Sequence, residues 1–385
     1  MTTAFKGADL APLAAALIAR AAADEADADA LMDLSTLLQL QGVQDLGITT
    51  QAHALQTRRL YELPCSAEAR IRLLAIMAPG DLMTNTPLEF LIENSDVSLS
   101  MLYLMPGEPI PTELPAHDVL FVAVSQSDRT SPLLDQLAAA ALSWPQPAIN
   151  RPDRIKDTSR TRAYELLDGA PGIFMPATAR ADRAQLERIA HGSLPLGDVL
   201  ADGALPLIVR PVDSHAGRSL AKIDSAAEIE TYLHETAGSE FFVSRFIDYR
   251  GADGLFRKYR IVFIDGIPYA GHMGVSEHWM IHYLNAGMAD SAAKRAEEEA
   301  FMHGFATGFA RRHADALRAV AERFGLDYLV IDCGETGAGD LLMFEVCTGA
   351  VVHAMDPVDV FAYKRPQMDK VFAAFRSMLW RSMRS

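Results

Sequence analysis

The sequence has few cysteines, no long apolar run and no excess of positive charge, and each absence excludes a class of protein. Its three cysteines, Cys65, Cys333 and Cys347, show no Cys-x-x-Cys spacing, so a disulfide framework is not expected and a reducing cytoplasm is the predicted compartment. No run reaches the roughly 18 apolar residues that a membrane span needs. Because the formal net charge is −15, nucleic acid is not an expected partner.

Signatures of secretion and of common hydrolases are also absent. Residues 1–30 contain an apolar stretch without a clear basic segment before it, and we expect them to form a helix of the mature protein. No HExxH pattern is present, so a substrate-pocket or structural role is favoured over zinc for His278 and His282. No Ser-His-Asp or Cys-His arrangement is evident, and no basic partner is evident for the thiols.

Two apolar, strand-like runs near the C-terminus each carry a carboxylate close to their end. The first run ends near Asp332 and the second near Glu345, and a glycine-rich turn lies between them. If the runs pair as a hairpin, these two carboxylates converge. Two carboxylates from neighbouring strands suit Mg²⁺, whose remaining ligands are waters and substrate phosphates. The alternative is that both side chains lie on a solvated strand face.

Hydrophobic patterning divides the chain into three predicted domains. Residues 1–64 carry leucines at helical spacing and predict a helical N-terminal segment, with a third helix over 49–63 and a packing or dimerisation role. Residues 65–148 alternate strand and helix patterns, which favours a small Rossmann-like α/β domain with a parallel sheet. Residues 149–385 alternate again and form the third part, with a predicted hinge near 241–248.

Cations follow or occupy two predicted strands upstream of the hairpin. Arg210 ends the first of these strands, and the loop after it contains small residues whose backbone N–H groups can approach phosphates closely. The phosphate-binding residues predicted in this loop are Ser214, His215 and Gly217. On the second strand, Lys258 and Arg260 are two residues apart and therefore share a face. Two cations beside two carboxylates make an arrangement that stabilises phosphoryl transfer.

The apolar run between these strands predicts a linker that lies along a nucleotide. Its backbone would contact an adenine edge, and the predicted contact residues are Val243, Ser244, Arg245 and Phe246. Asp248 would accept hydrogen bonds from ribose hydroxyls, as acidic residues do in other nucleotide folds. The alternative is a core strand followed by an exposed aspartate.

The order of these motifs resembles the ATP-grasp superfamily, which includes glutathione synthetase and D-alanine–D-alanine ligase. The resemblance covers roughly residues 150–378. It implies an α/β (α+β) chain in which an ATP-grasp fold follows a small α/β domain. It also implies ATP and Mg²⁺ as cofactors, and an ADP-forming ligation of a carboxylic acid to an amine through an acyl phosphate.

The resemblance also assigns roles to individual residues. Arg160 and Arg210 stand where the family carries phosphate-binding lysines, and residues 213–219 would cover the phosphates. Arg260 would face the γ-phosphate or the acyl phosphate. The residues implied in catalysis are Arg260, Arg210 and Lys258, and those implied at the metal are Asp332, Glu345 and Cys347.

Cys347 is a departure from the family pattern, which usually has asparagine at this position. Because Mg²⁺ prefers oxygen ligands, a neutral thiol would bind it poorly. Either a nearby oxygen compensates, from Glu335, Asp340 or Thr348, or the chain keeps nucleotide binding without activity.

Two further segments carry weaker signals. His272 and Ser276 are plausible substrate contacts, together with a candidate substrate loop at 79–90, and Trp279 is expected in the core. The acidic run at 297–299 predicts the solvated start of a long helix whose core face carries phenylalanines.

Three functions remain open on this basis. The first is the carboxylate–amine ligase, the second is a catalytically silent nucleotide-binding module, and the third is a kinase that phosphorylates an alcohol. The expected partners are small-molecule or peptide acids and amines, and a homodimer is reasonable.

Overall fold

A computed structural model describes residues 2–384 of the chain except 6, 64, 66–67, 112, 142–143, 145–147, 213 and 215–216. Within this part, three β-sheets of five, four and five strands are surrounded by helices. The mixed α/β class predicted from the sequence is therefore confirmed. None of the helices in the described residues is long and apolar enough to cross a membrane.

The N-terminal segment is helical, as predicted, but it ends earlier than expected. Its helices are α1 (Thr2–Phe5), α2 (Ala11–Ala23), α3 (Ala28–Leu40) and α4 (Gln44–Thr57). The prediction that the third helical run extends to Leu63 was wrong, because residues after Arg59 form a strand. That strand has alternating side chains, of which Tyr61 is buried, and it pairs with the edge of the first sheet.

The first sheet is built from a largely parallel core of buried strands. Its elements are β1 (Leu60–Leu63), β2 (Ile71–Met77), α5 (Leu88–Leu91), β3 (Val97–Tyr103), β4 (Val119–Val122), α6 (Ser131–Ala141) and β5 (Ala148–Ile149). The strand order is β1-β3-β2-β4-β5, and only β1 pairs antiparallel. Strand β2 is almost continuously buried, as expected for a central parallel strand covered on both faces.

The second sheet is antiparallel and has its own core. The elements of this region are α7 (Pro152–Ile155), α8 (Arg160–Leu167), β6 (Ile173–Phe174), β7 (Thr178–Asp182), α9 (Arg183–Ala190), β8 (Leu207–Pro211), β9 (Ala221–Ile223), α10 (Ala226–Glu235) and β10 (Glu240–Arg245). Strands β7, β10, β8 and β9 form the sheet in that order. Alternate side chains such as Val209 and Val243 lie in a hydrophobic cluster on one face with Leu186 and Ile229 of α9 and α10, so the opposite face is left for a cleft.

The third sheet carries the predicted hairpin. Its region contains β11 (Phe256–Ile264), β12 (Ile267–Ser276), α11 (Ala292–Gly304), α12 (Phe309–Arg312), α13 (Ala314–Phe324), β13 (Tyr328–Glu335), β14 (Leu341–Cys347) and α14 (Lys364–Ser382). The strand order is β12-β11-β13-β14-β6, with β6 the one parallel partner. Between β11 and β12, Asp265 and Gly266 both have positive φ, as a two-residue hairpin turn requires.

One large core joins the first and third sheets. Phe121 of β4, Tyr328 of β13 and Phe375 of α14 pack with ring centroids 5.6–6.3 Å apart. The second sheet has a separate cluster of buried residues. The cleft between these two cores is where the charged residues predicted from the sequence meet.

Candidate nucleotide-binding and metal site

The two predicted carboxylates are cross-strand neighbours. Asp332 of β13 is the register partner of Glu345 of β14, and a β-bulge follows directly after Asp332. Directly paired residues of two strands lie on the same face of a sheet. The predicted hairpin is therefore confirmed, and both carboxylates lie on one face, as the sequence-based argument required.

Asp332 is a buried anion held by two cations from the neighbouring strand. Lys258 Nζ lies 2.7 Å from Asp332 Oδ2, and Arg260 donates to both carboxylate oxygens at 2.8 and 2.9 Å. Burial alone would raise the pKa of Asp332, but the charges of Arg260 and Lys258 outweigh it and hold that pKa well below its ordinary range. The prediction that both cations share one face of a strand is confirmed by these contacts.

Glu345 is paired with Arg160 from the start of α8. Arg160 Nη2 donates to Glu345 Oε1 at 3.0 Å, and its Nη1 donates to the carbonyl oxygen of Phe344 at 3.2 Å. Burial tends to raise the pKa of Glu345, while the charges of Arg160 and Arg210 lower it by more, so the group is ionised. An element 185 residues away in sequence thus supplies the third cation of the site.

Arg210 is the fourth cation, and the loop after its strand fixes its orientation. Its side chain is buried, and Nε donates to Ser214 Oγ at 3.1 Å while Nη2 donates to the carbonyl oxygen of Ser214. Ser214 Oγ in turn donates to the carbonyl oxygen of Pro211 at 2.8 Å. Burial and then the like charge of Arg160 lower the pKa of Arg210 to about 10, so the guanidinium is still protonated at neutral pH.

These residues give the cleft a local charge opposite to that of the whole protein. Four cations, Arg160, Arg210, Lys258 and Arg260, surround two carboxylates, which leaves a surplus of two positive charges. The chain as a whole carries −15. A positive cleft with partly buried walls concentrates anionic ligands, so the site suits a polyanion with several oxygens.

The third predicted metal position does not fit Mg²⁺. Burial, reinforced by the charges of Glu345 and Asp332, raises the pKa of the Cys347 thiol to about 12, so the thiol stays neutral. No group of three or more His, Cys, Asp and Glu side chains that could hold a metal is found among the described residues. Asp332 and Glu345 offer hard, ionised oxygens and fit one Mg²⁺ whose other ligands are waters and phosphate oxygens, whereas Cys347 does not fit.

Not all of the residues predicted in the linker face the cleft. Val243 is fully buried in the core of the second sheet and its backbone pairs with β7 and β8, so the structure does not bring it to the cleft. Arg245 points out near Asp202, at 3.8 Å, and Asp248 is exposed and paired with Arg250 at 2.5 Å. Ser244 lies on the same face of the sheet as Arg210, because alternate residues of paired strands share a face.

An aromatic group that the sequence did not identify surrounds the end of the linker. Phe344, next to Glu345, packs on Tyr249 with ring centroids 5.0 Å apart, and Tyr249 OH donates to the carbonyl oxygen of Trp279. Phe246 contacts the Trp279 ring at 5.7 Å. Trp279 is partly buried and packs against the main hydrophobic core, so it lies at the edge of the core in which it was expected. The sequence signal for this group was the position of Phe344, directly before Glu345, the predicted metal ligand.

An open cleft of about 530 Å³ lies beside these rings. Strand β9 and residues 278–285 line it, including Lys222, whose Nζ lies 4.9 Å from the centre of the Phe246 ring. A flat apolar surface next to cations is what a purine base and its phosphates need.

The loop after β8 contacts the segment that follows β12. Gly217 has φ +68°, and a Cβ on it would lie 2.3 Å from Nε2 of His282, so both its backbone and its surroundings require glycine. Burial and then the charge of Lys258 lower the pKa of His282. Of the other loop residues predicted to bind phosphate, Ser214 contacts Arg210 as described, and His215 lies outside the described residues.

The other predicted substrate contacts are engaged within the protein. His272 is the register partner of Arg260 and packs on the Tyr283 ring at 4.7 Å. Ser276 is buried, and its Oγ accepts from the backbone N–H of His278 at 3.0 Å. His278 and His282 lie after the strand end and are not on a helix that could place both on one face.

The prediction of a solvated acidic run at 297–299 was wrong for Glu298, whereas Glu299 is exposed and Glu297 partly exposed. Glu298 is fully buried and accepts from Tyr283 OH at 2.7 Å, Tyr363 OH at 2.6 Å and the Met273 N–H at 3.1 Å. The long helix is also interrupted, since α11 ends at Gly304 and α12 begins at Phe309. The signal was periodicity, because Glu298 precedes the buried Met302 by one helical turn.

His353, next to this region, makes the stability of the fold sensitive to acid. Its Nδ1 accepts from the Met355 N–H at 3.0 Å and its ring packs on Phe5 at 4.7 Å, so the neutral form fits the site. Burial lowers the pKa of His353 to about 4. An unfolded histidine titrates near 6.5, so the stabilisation is complete above pH 6.5 and is lost as pH falls toward 4, at about 1.4 kcal/mol per pH unit.

We expect His353→Asn to reduce this acid sensitivity, because Asn can accept the Met355 N–H through Oδ1 without titrating. Urea unfolding at pH 7, 6 and 5 would measure the slope of stability against pH. The matched control is His303→Asn, which alters an exposed histidine of α11. Equal slopes in wild type and His353→Asn would contradict the assignment.

The chain matches no protein-family model and no curated protein. It is similar to solved structures at low identity. The VanG D-Ala:D-Ser ligase from Enterococcus faecalis is 13% identical, with a TM-score of 0.48, covering 80% of this chain and 99% of that one. The D-alanine–D-alanine ligase from Bacillus anthracis, complexed with ATP, is 12% identical, with a TM-score of 0.47, covering 82% and 98%.

A RimK domain protein ATP-grasp from Sphaerobacter thermophilus is 14% identical, with a TM-score of 0.44, covering 80% of this chain and 99% of that chain. All three TM-scores are below 0.5.

Proposed function

We propose that the protein is an ATP- and Mg²⁺-dependent ligase that joins a carboxylic acid to an amine through an acyl phosphate. The observation that carries the proposal is the cleft in which four cations surround two ionised carboxylates. A triphosphate brings negative charge that this surplus of cations neutralises, and its Mg²⁺ needs hard oxygen ligands such as the two carboxylates.

The nucleotide base is proposed to lie along the end of β10. Ser244 and Phe246 border the cleft at this point, and Phe344 and Tyr249 provide the aromatic wall. The backbone of β10 pairs with β7 up to Ser244 and with β8 up to Arg245, and the Phe246 N–H donates to the carbonyl oxygen of Pro206 at 2.9 Å. Further backbone contacts to the base would therefore come from the edge that β7 leaves unpaired after Ser244 or from residues after Phe246. The phosphates would then extend toward Arg210 and Arg160.

The first proposed step is transfer of the γ-phosphoryl group to the acid. A carboxylate oxygen of the acid attacks the γ-phosphorus, the bond to the bridging oxygen breaks, and ADP leaves. Arg260, Lys258, Arg160 and Arg210 hold the phosphate oxygens and neutralise charge in the transition state. Mg²⁺ bound by Asp332 and Glu345 would further screen the phosphate oxygens.

The second proposed step joins the amine to the activated acid. The amine nitrogen attacks the acyl carbon, the carbon–oxygen bond to phosphate breaks, and inorganic phosphate leaves as the nitrogen loses a proton. Positioning and charge neutralisation carry this chemistry, so no nucleophilic side chain is needed. This agrees with thiols that are buried or kept neutral, namely Cys333 and Cys347.

Cys347 supports a second candidate, a module that binds nucleotide without turnover. Its neutral thiol removes one oxygen ligand from the metal position, as described above. Such a module would bind MgATP through the same cations and carboxylates and release no ADP.

ADP release with pairs of candidate acids and amines is the experiment that tests the proposal. We expect ADP and phosphate to appear only when an acid is present, and hydroxylamine to trap the acyl phosphate as a hydroxamate. MgATP binding measured by calorimetry, without ADP release from any pair, would instead favour the silent module. ADP release with an alcohol and no hydroxamate would favour a kinase.

A further inference from the structure

The first residue of α4 joins two loops that border the cleft. Arg218, in the loop after β8, donates through Nη2 to Gln44 Oε1 at 2.7 Å. The amide nitrogen of Gln44 donates to Asp81 Oδ2 at 3.2 Å. The Gln44 side chain thus binds Arg218 of the loop after β8 and Asp81 of the candidate substrate loop.

The Asp81 loop is itself rigidly built. Asp81 Oδ1 accepts from the Met83 N–H at 3.0 Å and from Thr84 Oγ1 at 3.1 Å. Gln51 lies seven residues after Gln44 on α4. It is buried and accepts from the Gly80 N–H at 2.7 Å. Helix α4 therefore holds this loop at two points, and the loop provides a fixed partner for Gln44.

The far side of this loop reaches the segment that follows the metal hairpin. A Cβ on Gly349 would lie 2.8 Å from the carbonyl oxygen of Met83 and 2.4 Å from Ser125 Oγ, so the two segments are in close contact. Gly349 comes two residues after Cys347. The loop at 80–84 is thus packed between α4 and the site.

The loop after β8 contacts two other parts of the protein. Gly217 lies against His282 from the segment after β12, and Arg218 is held by Gln44. Arg218 is otherwise exposed. Neighbouring residues of the loop, Gly217 and Arg218, thus contact different parts of the protein.

We propose that Gln44 is a positioning residue for the nucleotide site. By binding Arg218 and Asp81 together, it orders residues 217–219 after β8 before the ligand arrives. Ordering a loop in advance lowers the conformational cost of binding. The N-terminal helices are therefore part of the ligand-binding unit, beyond the packing or dimerisation role expected from their sequence.

Tryptic cleavage after Arg218 tests the anchoring without any ligand. Loss of one hydrogen bond is expected to speed cleavage of the Arg218–Ser219 bond about fivefold in Gln44→Ala, because the loop leaves its anchored position more often. Gln44→Glu retains an acceptor for Arg218 but loses the donor to Asp81, so it is expected to cleave at a rate between those of wild type and Gln44→Ala. Gln41→Ala, which alters the exposed residue after α3, is the matched control.

A double-mutant cycle with Arg218→Ala tests the effect on nucleotide affinity. In calorimetric titrations with MgATP, Gln44→Ala and Arg218→Ala are each expected to weaken binding about fivefold, and the double variant no further. This second test rests on the proposed function, whereas the cleavage rate does not. If wild type binds no MgATP, the proposed function fails and the cleavage rates alone decide the anchoring.

Two results would overturn the proposal. One is a cleavage rate in Gln44→Ala equal to that of wild type and Gln41→Ala. The other is additive weakening of MgATP binding by the two substitutions, which would show that Gln44 and Arg218 act independently.

Discussion

Replacement of Glu345 by glutamine is expected to lower Mg²⁺-dependent turnover by a factor of about 10² to 10³ while the fold persists. The substitution keeps the shape of the side chain and an oxygen that can accept from Arg160, but it removes one of the two negative charges available to a cation. Glu345 is the better target of the two carboxylates because its side chain is 40% exposed, against 5% for Asp332. Neutralising Asp332 would also leave Lys258 and Arg260 without their anion.

The measurement is ADP release at several Mg²⁺ concentrations, with a pair of substrates found active in wild type. Where no turnover is found, the gain in ATP affinity on adding Mg²⁺ replaces it, and that gain should shrink at least tenfold. Glu299→Gln, on the exposed side of α11, is the matched control and should behave as wild type. An unchanged Mg²⁺ dependence in Glu345→Gln would contradict the proposed metal site.

Replacement of Glu298 by alanine is expected to lower the free energy of unfolding by about 3 kcal/mol or more. Glu298 accepts from Tyr283 and Tyr363 and lies 3.5 Å from the buried ammonium of Lys364. Its removal leaves two hydroxyls without their acceptor and a cation with only Asp356, at 3.1 Å, as counter-charge. Buried polar groups that lose their partners cost much more than exposed ones.

Urea denaturation of Glu298→Ala, Glu298→Gln and Glu299→Ala would measure this effect. The glutamine variant keeps one acceptor oxygen for the two tyrosine hydroxyls but loses the negative charge beside Lys364, so it should fall between alanine and wild type. The Glu299→Ala control removes an exposed carboxylate and should change stability by less than about 0.5 kcal/mol. A loss in Glu298→Ala no larger than in the control would show that the network does not stabilise the fold.

The hairpin and its charges could be predicted because they depend on local sequence. The runs around Asp332 and Glu345 have the apolar content of strands, and a short glycine-rich turn leaves few ways to pair them. The spacing of Lys258 and Arg260 fixes a common face, because strand side chains alternate. The side chains of β11, β13 and β14 that approach the cleft could therefore be predicted from the sequence.

The linker and the N-terminal helices were harder to predict because their environment is non-local. Val243 and Ser244 are adjacent, and which of them meets the cleft depends on which face of the second sheet α9 and α10 cover. The end of the third N-terminal helix was misplaced because Leu60–Leu63 join a strand 35 or more residues away. A tertiary partner overrode the local helical pattern.

The contacts of Glu298 and Gln44 were also hard to predict, because their partners are far away in the sequence. Helical periodicity places Glu298 on the same face as Met302, but the partners that make its burial tolerable come from three other segments. The partners of Gln44 lie 37 and 174 residues away. Hydrogen bonds over such separations become visible only when the chain is folded.

By itself, the sequence determined the class of the fold, the hairpin that carries Asp332 and Glu345, and the cations Lys258 and Arg260 beside it, because strand alternation and turn chemistry act over a few residues. Only the tertiary structure decided which carboxylate is buried, that Arg160 meets Glu345, and that the first helices reach the cleft. The physical reason is that burial and ion pairing are set by whichever segments pack together. That packing depends on the whole core and on no single stretch of the chain.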